Sequence, residues 1–230
     1  MLTYFARILL CFAIVFLILG CEKPAVVDKK TADDLVVRIG AAAPLTGNQA
    51  HIGKDNESGT RMAIDDANAK GIVIGGRKVH FELISEDDQA DPKNATIVAQ
   101  KLVDDKVSGV IGHLNSGTTI PASKIYNDNG IPQISPSATA VNYTAQGFNT
   151  AFRVMANDAQ QGRVLGEYAT KNLAAKKIAV IDDRTAYGQG LADEFIKAAQ
   201  VNGAQIVAHE YTTDKAVDFK TLVDISAVLA

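Results

Sequence analysis

The sequence predicts an α/β fold in which parallel β-sheets carry helices on both faces and are divided between two lobes. From Val36 onward, short runs rich in β-branched residues alternate with longer segments of helical periodicity, which is typical of parallel sheets. A strand predicted at Thr150–Val154 ends this series, and the same alternation starts again after it. Hydrophobic residues make up 47% and charged residues 21% of the 230 residues, which are ordinary values for a folded chain.

The first lobe is expected to occupy residues 36–153. Its first four strands are predicted at Val36–Pro44, 78–88, 107–112 and 131–137. Its helices are predicted at about Lys54–Ala69, from Pro92 onward and at Ser116–Asn129. Gly71 and Gly130 follow two of these helices as stop residues, and Asp91 precedes Pro92 as an N-cap.

The second lobe is expected to begin at residue 154 and to be incomplete. Its helices are predicted at about Asp158–Asn172, at about Gly188–Val201 and from Asp218 onward, and its strands at 176–182 and 204–211. Two parallel strands cannot cover their own faces and edges well. We therefore expect residues 154–230 to be part of a larger lobe in a chain that is truncated.

The N-terminus is predicted to be a signal peptide, residues 1–20. Its apolar run from Ile8 to Leu19 is shorter than the roughly 20 apolar residues that span a bilayer, although a single span is an alternative. The run ends at Ile18-Leu19-Gly20-Cys21, which resembles the lipobox of bacterial lipoproteins and makes Cys21 the expected lipidation site. An ordinary signal peptide with an incidental cysteine is the other alternative. Residues 21–35 lack apolar periodicity and are expected to be a tether.

Composition and charge argue against several classes of function. A formal net charge of −3 gives no electrostatic reason to expect binding to nucleic acid. Both cysteines lie in the N-terminal segment and the four histidines are dispersed, so neither a metal nor another cofactor is expected. Gly47–Asp55 differs from a phosphate-binding loop in its spacing and carries Asp55 where a hydroxyl should be.

Two polar loops are candidates for a binding site. Ligands of open parallel sheets bind beyond the carboxyl ends of the strands, where Gly112–Thr119 and Ser135–Thr139 follow two successive strands. The first loop enters a helix, whose N-terminal N–H groups favour a carboxylate or a phosphate. The alternative is that Ser116 is merely an N-cap and that Ser137–Thr139 is merely a turn.

Three segments resemble the periplasmic substrate-binding proteins of branched-chain amino acid ABC transporters, the leucine/isoleucine/valine-binding type. They are IGAAAPLTGNQAHIGKDNESGTRMAIDDANAKGIVIGGRKVHFELISEDDQADP, VIGHLNSGTTIPASKIYNDNGIPQISPSAT and DDRTAYGQGLADEF. The resemblance extends from Val36 to about Leu222. It implies the type I periplasmic binding protein fold, in which two Rossmann-like lobes close on one ligand.

The resemblance also implies ligand-binding residues. Ser116 is similar to the serine that receives the ligand carboxylate, and Thr139 to the threonine that contacts both the carboxylate and the ammonium group. Ser137 would offer its carbonyl to the ammonium group, and Tyr187 would close over the ligand from the second lobe. The full set expected from the resemblance is Ile52, Leu114, Asn115, Ser116, Ser137, Ala138, Thr139 and Tyr187.

The sequence departs from that family pattern at three places. Ile52 stands where leucine-binding members often have an aromatic residue, and Ala90 and Asn115 stand where some members have a disulfide pair. The family's acidic partner for the ligand ammonium group is expected beyond residue 230. Losing that charge-assisted hydrogen bond would cost about 1.5–3 kcal/mol of binding free energy.

These observations together predict an extracytoplasmic lipoprotein that binds branched-chain or related amino acids, delivers them to an ABC permease and is not an enzyme. It would lie in the periplasm or at the cell surface, held to the membrane by its lipid. One alternative is a ligand-sensing module for amides or small organic acids, and another is a non-functional truncated receptor. A third is an α/β enzyme acting on an amino acid, for which His113 is the nearby base and no orienting carboxylate can be identified.

Overall fold

The computed structural model describes residues 33–213 and 215–220, together with Leu222 and Asp224. The predicted signal peptide, the lipidation site Cys21 and nearly all of the tether lie outside the described residues. Most of the helix predicted from Asp218 lies outside them as well. Within the described part of the chain, no helix is long and apolar enough to cross a membrane.

Six strands of the described chain form the first sheet, in the order β2–β3–β1–β4–β5–β6. They are β1 Leu35–Ala43, β2 Val73–Ile74, β3 Arg77–Asp87, β4 Gly109–Gly112, β5 Gln133–Ser135 and β6 Ala151–Arg153. All neighbours are parallel except β2 and β3, so the predicted parallel sheet is confirmed with one antiparallel edge added. That edge was not expected. Gly75 and Gly76 join the two strands with positive φ at both residues, as a tight hairpin turn requires.

Helices cover both faces of the first sheet, as the alternation predicts. They are α1 Ala50–Ala69, α2 Pro92–Asp104, α3 Ser116–Asp128 and the short α4 Val141–Ala145. The predicted cap of α2 is confirmed, because Asp91 Oδ1 accepts a hydrogen bond from the Asn94 N–H at 2.8 Å. Helix α1 begins at Ala50, earlier than predicted. The sequence does not reveal this start, because the N-cap residue Gln49 makes no side-chain cap and Gly53 resembles a helix breaker. Gly53 instead lets α1 approach Pro44, whose carbonyl oxygen lies 2.0 Å from where a Cβ would be.

The core of the first sheet lies between its strands and helices α2 and α3. The side chain of Leu102 is fully buried there and faces Gly40 of β1, where an added Cβ would meet it at 3.1 Å. The buried members of this cluster are Ala42, Val98, Ala99, Leu102, Val107, Val110, Ala122, Tyr126 and Ile131. This packing fixes α3 against the sheet, and therefore fixes the loop that leads into α3.

The second sheet of the described chain has two parallel strands, β7 Lys177–Asp182 and β8 Gln205–Tyr211. Helix α5, Asp158–Glu167, continues into a π-helical turn, Tyr168–Asn172, and helix α6 spans Ala186–Val201. Helices α5 and α6 pack closely through Gly162 and Gly166, where an added Cβ would lie 2.6 Å from Glu194 Cβ and 2.7 Å from Ala198 Cβ respectively. The predicted order of elements is confirmed. The lobe boundary between residues 153 and 154, which directly follows β6, stays a prediction.

Candidate functional site

The loop between β4 and α3 turns closely against the neighbouring strand β1. Gly112 has a φ of +134°, and a Cβ there would lie 2.2 Å from the Ala42 carbonyl oxygen, so the turn needs glycine. Asn115 is the N-cap residue of α3 and Ser116 is the first helical residue. Among the described residues, no hydrogen-bond acceptor is found for the N–H groups of Ser116 and Gly117. This end of α3 therefore presents free donors and the positive end of the helix dipole.

Hydrogen bonds join this loop to the one that follows β5. They run from Ser135 Oγ to the His113 carbonyl at 2.8 Å, from Ser137 Oγ to the Leu114 carbonyl at 2.6 Å, and from the Ala140 N–H to Ser116 Oγ at 3.2 Å. Strands β4 and β5 are parallel neighbours, so both loops begin at the same end of the sheet, the carboxyl end of its strands. The two loops form one polar surface, and the alternative reading of Ser116 as an N-cap is wrong because Asn115 holds that position.

Arg153 at the end of β6 holds the second loop in place. Its guanidinium donates to the carbonyls of Ala138 at 2.9 Å and Ala140 at 2.8 Å. The same group lies 5.2 Å from the centroid of the Tyr143 ring, whose burial raises its pKa to about 12. The carbonyl of Ala138, one of the predicted site residues, is therefore already engaged within the protein. Sequence reasoning missed Arg153, since a single arginine at a strand end is an ordinary surface feature.

The other predicted site residues differ in their exposure. Leu114 is buried and Asn115 is half-buried, with its Nδ2 donating to Gln49 Oε1 at 2.8 Å. Ile52 on α1 is 45% exposed and Tyr187 in the first turn of α6 is 43% exposed. The structure thus brings the predicted residues of the two loops together, while Ile52 and Tyr187 stay open to solvent on separate helices.

A buried carboxylate lies beside Thr139 and was not predicted. Asp158 is the first residue of α5, is fully buried, and donates its N–H to the Thr139 carbonyl at 2.9 Å. Neither carboxylate oxygen, nor Thr139 Oγ1, reaches hydrogen-bond geometry with another described residue. Burial raises the pKa of Asp158, and the nearby Thr139 hydroxyl and Arg153 lower it less. The sequence gives no sign of this, because an acid at the start of a helix is common.

His113 lies in a buried polar network. Its Nδ1 is 2.7 Å from Asp88 Oδ2, and its Nε2 is 3.1 Å from the Tyr126 hydroxyl. Asp88 is thus the orienting carboxylate that the sequence did not reveal, and its expected absence is wrong. Both ring nitrogens are occupied and all three side chains are fully buried, so this histidine cannot reach a substrate. Burial raises the pKa of Tyr126 well above its usual range, which keeps its hydroxyl protonated as a hydrogen-bond donor.

Residues 36–225 match the family described as "Periplasmic binding protein". The chain belongs to this family. The Leu/Ile/Val-binding protein homolog 1 of Brucella abortus (strain 2308) is 43% identical to it over 187 residues, covering 81% of this chain and 50% of that protein. An amino acid binding protein of Pseudomonas aeruginosa is 44% identical over 190 residues, with the same shares covered. The chain spans about half the length of these relatives.

Solved structures of periplasmic binding proteins share the fold of this family member. The leucine binding protein LivK of Thermotoga maritima superimposes with a TM-score of 0.73 at 26% identity, over 84% of this chain and 53% of that one. LivJ of Streptococcus pneumoniae, solved in complex with isoleucine, gives the same TM-score at 29% identity, over 84% and 54%. A solute binding protein of Rhodopseudomonas palustris, solved with 3,4-dihydroxybenzoic acid, gives a TM-score of 0.70 at 26% sequence identity. The match covers 83% of this chain and 51% of that one. The predicted fold and family resemblance are confirmed.

Proposed function

We propose that this chain is the ligand-binding part of an extracytoplasmic substrate-binding protein that takes branched-chain or related amino acids and delivers them to an ABC permease. It performs no reaction on its ligand. Cys21 carries the lipid that anchors the protein to the membrane, and residues 21–35 tether the folded part to it. The relatives named for leucine, isoleucine and valine binding support the ligand class.

The observation that carries this proposal is the surface formed by the two joined loops. The free N–H groups of Ser116 and Gly117, the Ser116 hydroxyl and the α3 dipole converge beside Thr139. Such a helix N-terminus favours a carboxylate without needing a basic side chain. The buried Thr139 hydroxyl lies beside the Asp158 carboxyl group, at the place where the ligand's polar groups would bind.

Binding takes place between the two lobes. The first lobe, residues 36–153, holds the carboxylate and ammonium groups, with Leu114 and Asn115 beside the ligand side chain. The second lobe, from residue 154, closes over the ligand with Tyr187 of α6. Closure is favoured to the extent that the ligand contacts the closed arrangement better than the open one.

A second candidate ligand class is the small aromatic carboxylic acids. The Rhodopseudomonas palustris protein, solved with 3,4-dihydroxybenzoic acid, has the same fold and 26% identity to this chain. A carboxylate at the α3 N-terminus would suit either class. The two classes differ in the cationic amino group, which amino acids have and aromatic acids lack.

Calorimetric titration tests the proposal. The chain, purified as a bacterial host processes it, is titrated with leucine, isoleucine, valine and 3,4-dihydroxybenzoate. We expect micromolar binding, about −8 kcal/mol, for at least one branched-chain amino acid. The double variant Ser116→Ala plus Thr139→Ala should weaken that binding by at least about tenfold, since each hydroxyl bonds a charged group.

A matched control removes the same chemistry from another part of the molecule. Ser108→Ala plus Thr96→Ala deletes one serine and one threonine hydroxyl away from the joined loops, and should leave affinity unchanged. Equal affinity of the wild type and the Ser116/Thr139 variant would show that the site is assigned wrongly. A folded wild type that binds the aromatic acid and none of the amino acids would replace the first ligand class with the second.

A further inference from the structure

The buried network of Asp88, His113 and Tyr126 is attached to the loop between β4 and α3 through His113. All three side chains are fully buried, and none of them is among the residues proposed to contact the ligand. Building on the proposed function, we propose that Asp88 and His113 are positioning residues, which hold the carboxylate-binding end of α3 in place without touching the ligand. Their contact with each other would then help to set the affinity of the chain for its ligand.

The His113 side chain is held from two directions. Its Nδ1 lies 2.7 Å from Asp88 Oδ2, and its Nε2 lies 3.1 Å from the Tyr126 hydroxyl. Asp88 is fixed in turn, because its Oδ1 accepts from the Ala90 N–H at 2.9 Å and its own N–H donates to the Ala43 carbonyl at 3.1 Å. Asp88 follows β3, and strand β1 lies between β3 and β4. The contact of Asp88 with His113 therefore fastens the β4 loop to a segment on the far side of β1.

The main chain of His113 carries this restraint to both binding loops. Its carbonyl oxygen accepts hydrogen bonds from Thr119 Oγ1 at 3.1 Å and from Ser135 Oγ at 2.8 Å. Thr119 is the fourth residue of α3, and Ser135 is the last residue of β5. Ser135 Oγ also accepts from the Ala138 N–H at 2.9 Å, directly before Thr139 in the chain. One residue thus connects the start of α3 with the loop after β5.

A shift of this loop would change the proposed carboxylate contacts. The N–H groups of Ser116 and Gly117 follow His113 by three and four residues. Hydrogen bonds weaken steeply when their angle departs from the favoured range, so a small rotation of these donors weakens binding. Donors that are already ordered before the ligand arrives also lose less entropy on binding. The contact between Asp88 and His113 should therefore raise affinity, although the ligand reaches neither side chain.

Two substitutions of His113 separate positioning from simple packing. In His113→Asn, the amide nitrogen can take the place of Nδ1 and still donate to Asp88. In His113→Gln, the longer amide can take the place of Nε2 beside Tyr126, but Asp88 loses its partner. Both variants remove the buried ring, so both should be less stable than wild type in urea unfolding. Val98→Ala is the control, because the core cluster around Val98 includes no residue of either loop.

A second variant removes the same contact from the side of Asp88. In Asp88→Asn, the amide has one oxygen and cannot accept from both the Ala90 N–H and His113 Nδ1. This variant keeps the buried ring and leaves no unpartnered buried charge. It therefore tests the contact if His113→Gln does not fold.

Titration with leucine measures the effect on binding, under conditions in which urea unfolding shows each variant to be folded. We expect His113→Gln and Asp88→Asn to bind leucine about tenfold more weakly than wild type, the equivalent of about 1.4 kcal/mol. His113→Asn and Val98→Ala should stay within about twofold of wild type, since both keep a donor facing Asp88. A purely structural role would move stability in all of these variants without separating the asparagine variant from the glutamine variant.

Hydrogen exchange without ligand is the second readout. Mass spectrometry of peptides covering residues 112–119 and 135–140 reports directly on the two loops. We expect faster exchange in both segments for His113→Gln and Asp88→Asn than for His113→Asn or Val98→Ala, because only the first two variants lose the contact across β1.

The outcomes separate this proposal from the proposed function. Equal leucine affinities of folded His113→Asn and Gln variants, together with wild-type affinity of Asp88→Asn, would overturn the positioning role and leave the proposed function standing. A loss in Val98→Ala as large as that in His113→Gln would also overturn it, since core stability alone would then explain binding. A wild type that binds no leucine, isoleucine or valine would overturn the proposed function, and hydrogen exchange would still decide whether Asp88 and His113 hold the loops.

Discussion

Two glycine-to-alanine substitutions should change stability in opposite directions. In a helix interior, alanine is favoured over glycine by roughly 1 kcal/mol, because it loses less conformational entropy on folding. Gly59 of α1 has nothing within 4 Å of its would-be Cβ, so Gly59→Ala should gain about 0.5–1 kcal/mol of unfolding free energy. Gly162 of α5 offers the same gain in propensity, but its surroundings are different.

The space at Gly162 is already filled by α6. An added Cβ would lie 2.6 Å from Glu194 Cβ and 2.7 Å from the Phe195 nitrogen, roughly 1 Å closer than favourable contact. Two of the nearest atoms belong to the α6 backbone, so no rotation of a side chain can remove the clash. Overpacking of this kind costs about 1–3 kcal/mol, and the upper part of that range applies here. Once the gain in helix propensity is subtracted from this cost, Gly162→Ala should lower the free energy of unfolding by about 2 kcal/mol.

Urea unfolding followed by circular dichroism measures both values on the same chain. The two variants make the same chemical change in two helices, so the difference between them isolates the contact of α5 with α6. A Gly162→Ala variant as stable as wild type would show that α5 and α6 are not in the close contact described. A loss at Gly59 as large as that at Gly162 would show that helix context alone explains both results.

Three further substitutions test the polar framework by urea unfolding, and the third is also tested by titration with leucine. Tyr126→Phe leaves His113 Nε2 buried without its hydrogen-bond partner and should lower the free energy of unfolding by about 1–3 kcal/mol. Burial alone would raise the pKa of Asp87, but hydrogen bonds from Thr46 and from backbone N–H groups lower it overall. Asp87→Asn should therefore destabilise the chain at neutral pH, and the difference from wild type should shrink as the pH falls below 3.8. Arg153→Lys removes the forked pair of hydrogen bonds to the carbonyls of Ala138 and Ala140 in the loop after β5. We expect it to reduce the free energy of leucine binding more than it reduces the free energy of unfolding.

Features encoded by neighbouring residues were predictable from the sequence. Asp91 followed by Pro92 marks the start of α2 because both signals act within one helical turn. The succession of strands and helices was predictable for the same reason, since hydrophobic periodicity is a property of each segment. The short β2–β3 hairpin was missed, although Gly75-Gly76 is itself a local turn signal.

Contacts between distant segments could not be predicted in the same way. Asp88 follows β3 and His113 follows β4, and these strands lie on opposite sides of β1, so their contact depends on the strand order. Asp158 is similar, because its burial results from the packing of α5 and α6 and from its bond to the Thr139 carbonyl. A sequence shows that an aspartate starts a helix, but it does not show what encloses that aspartate.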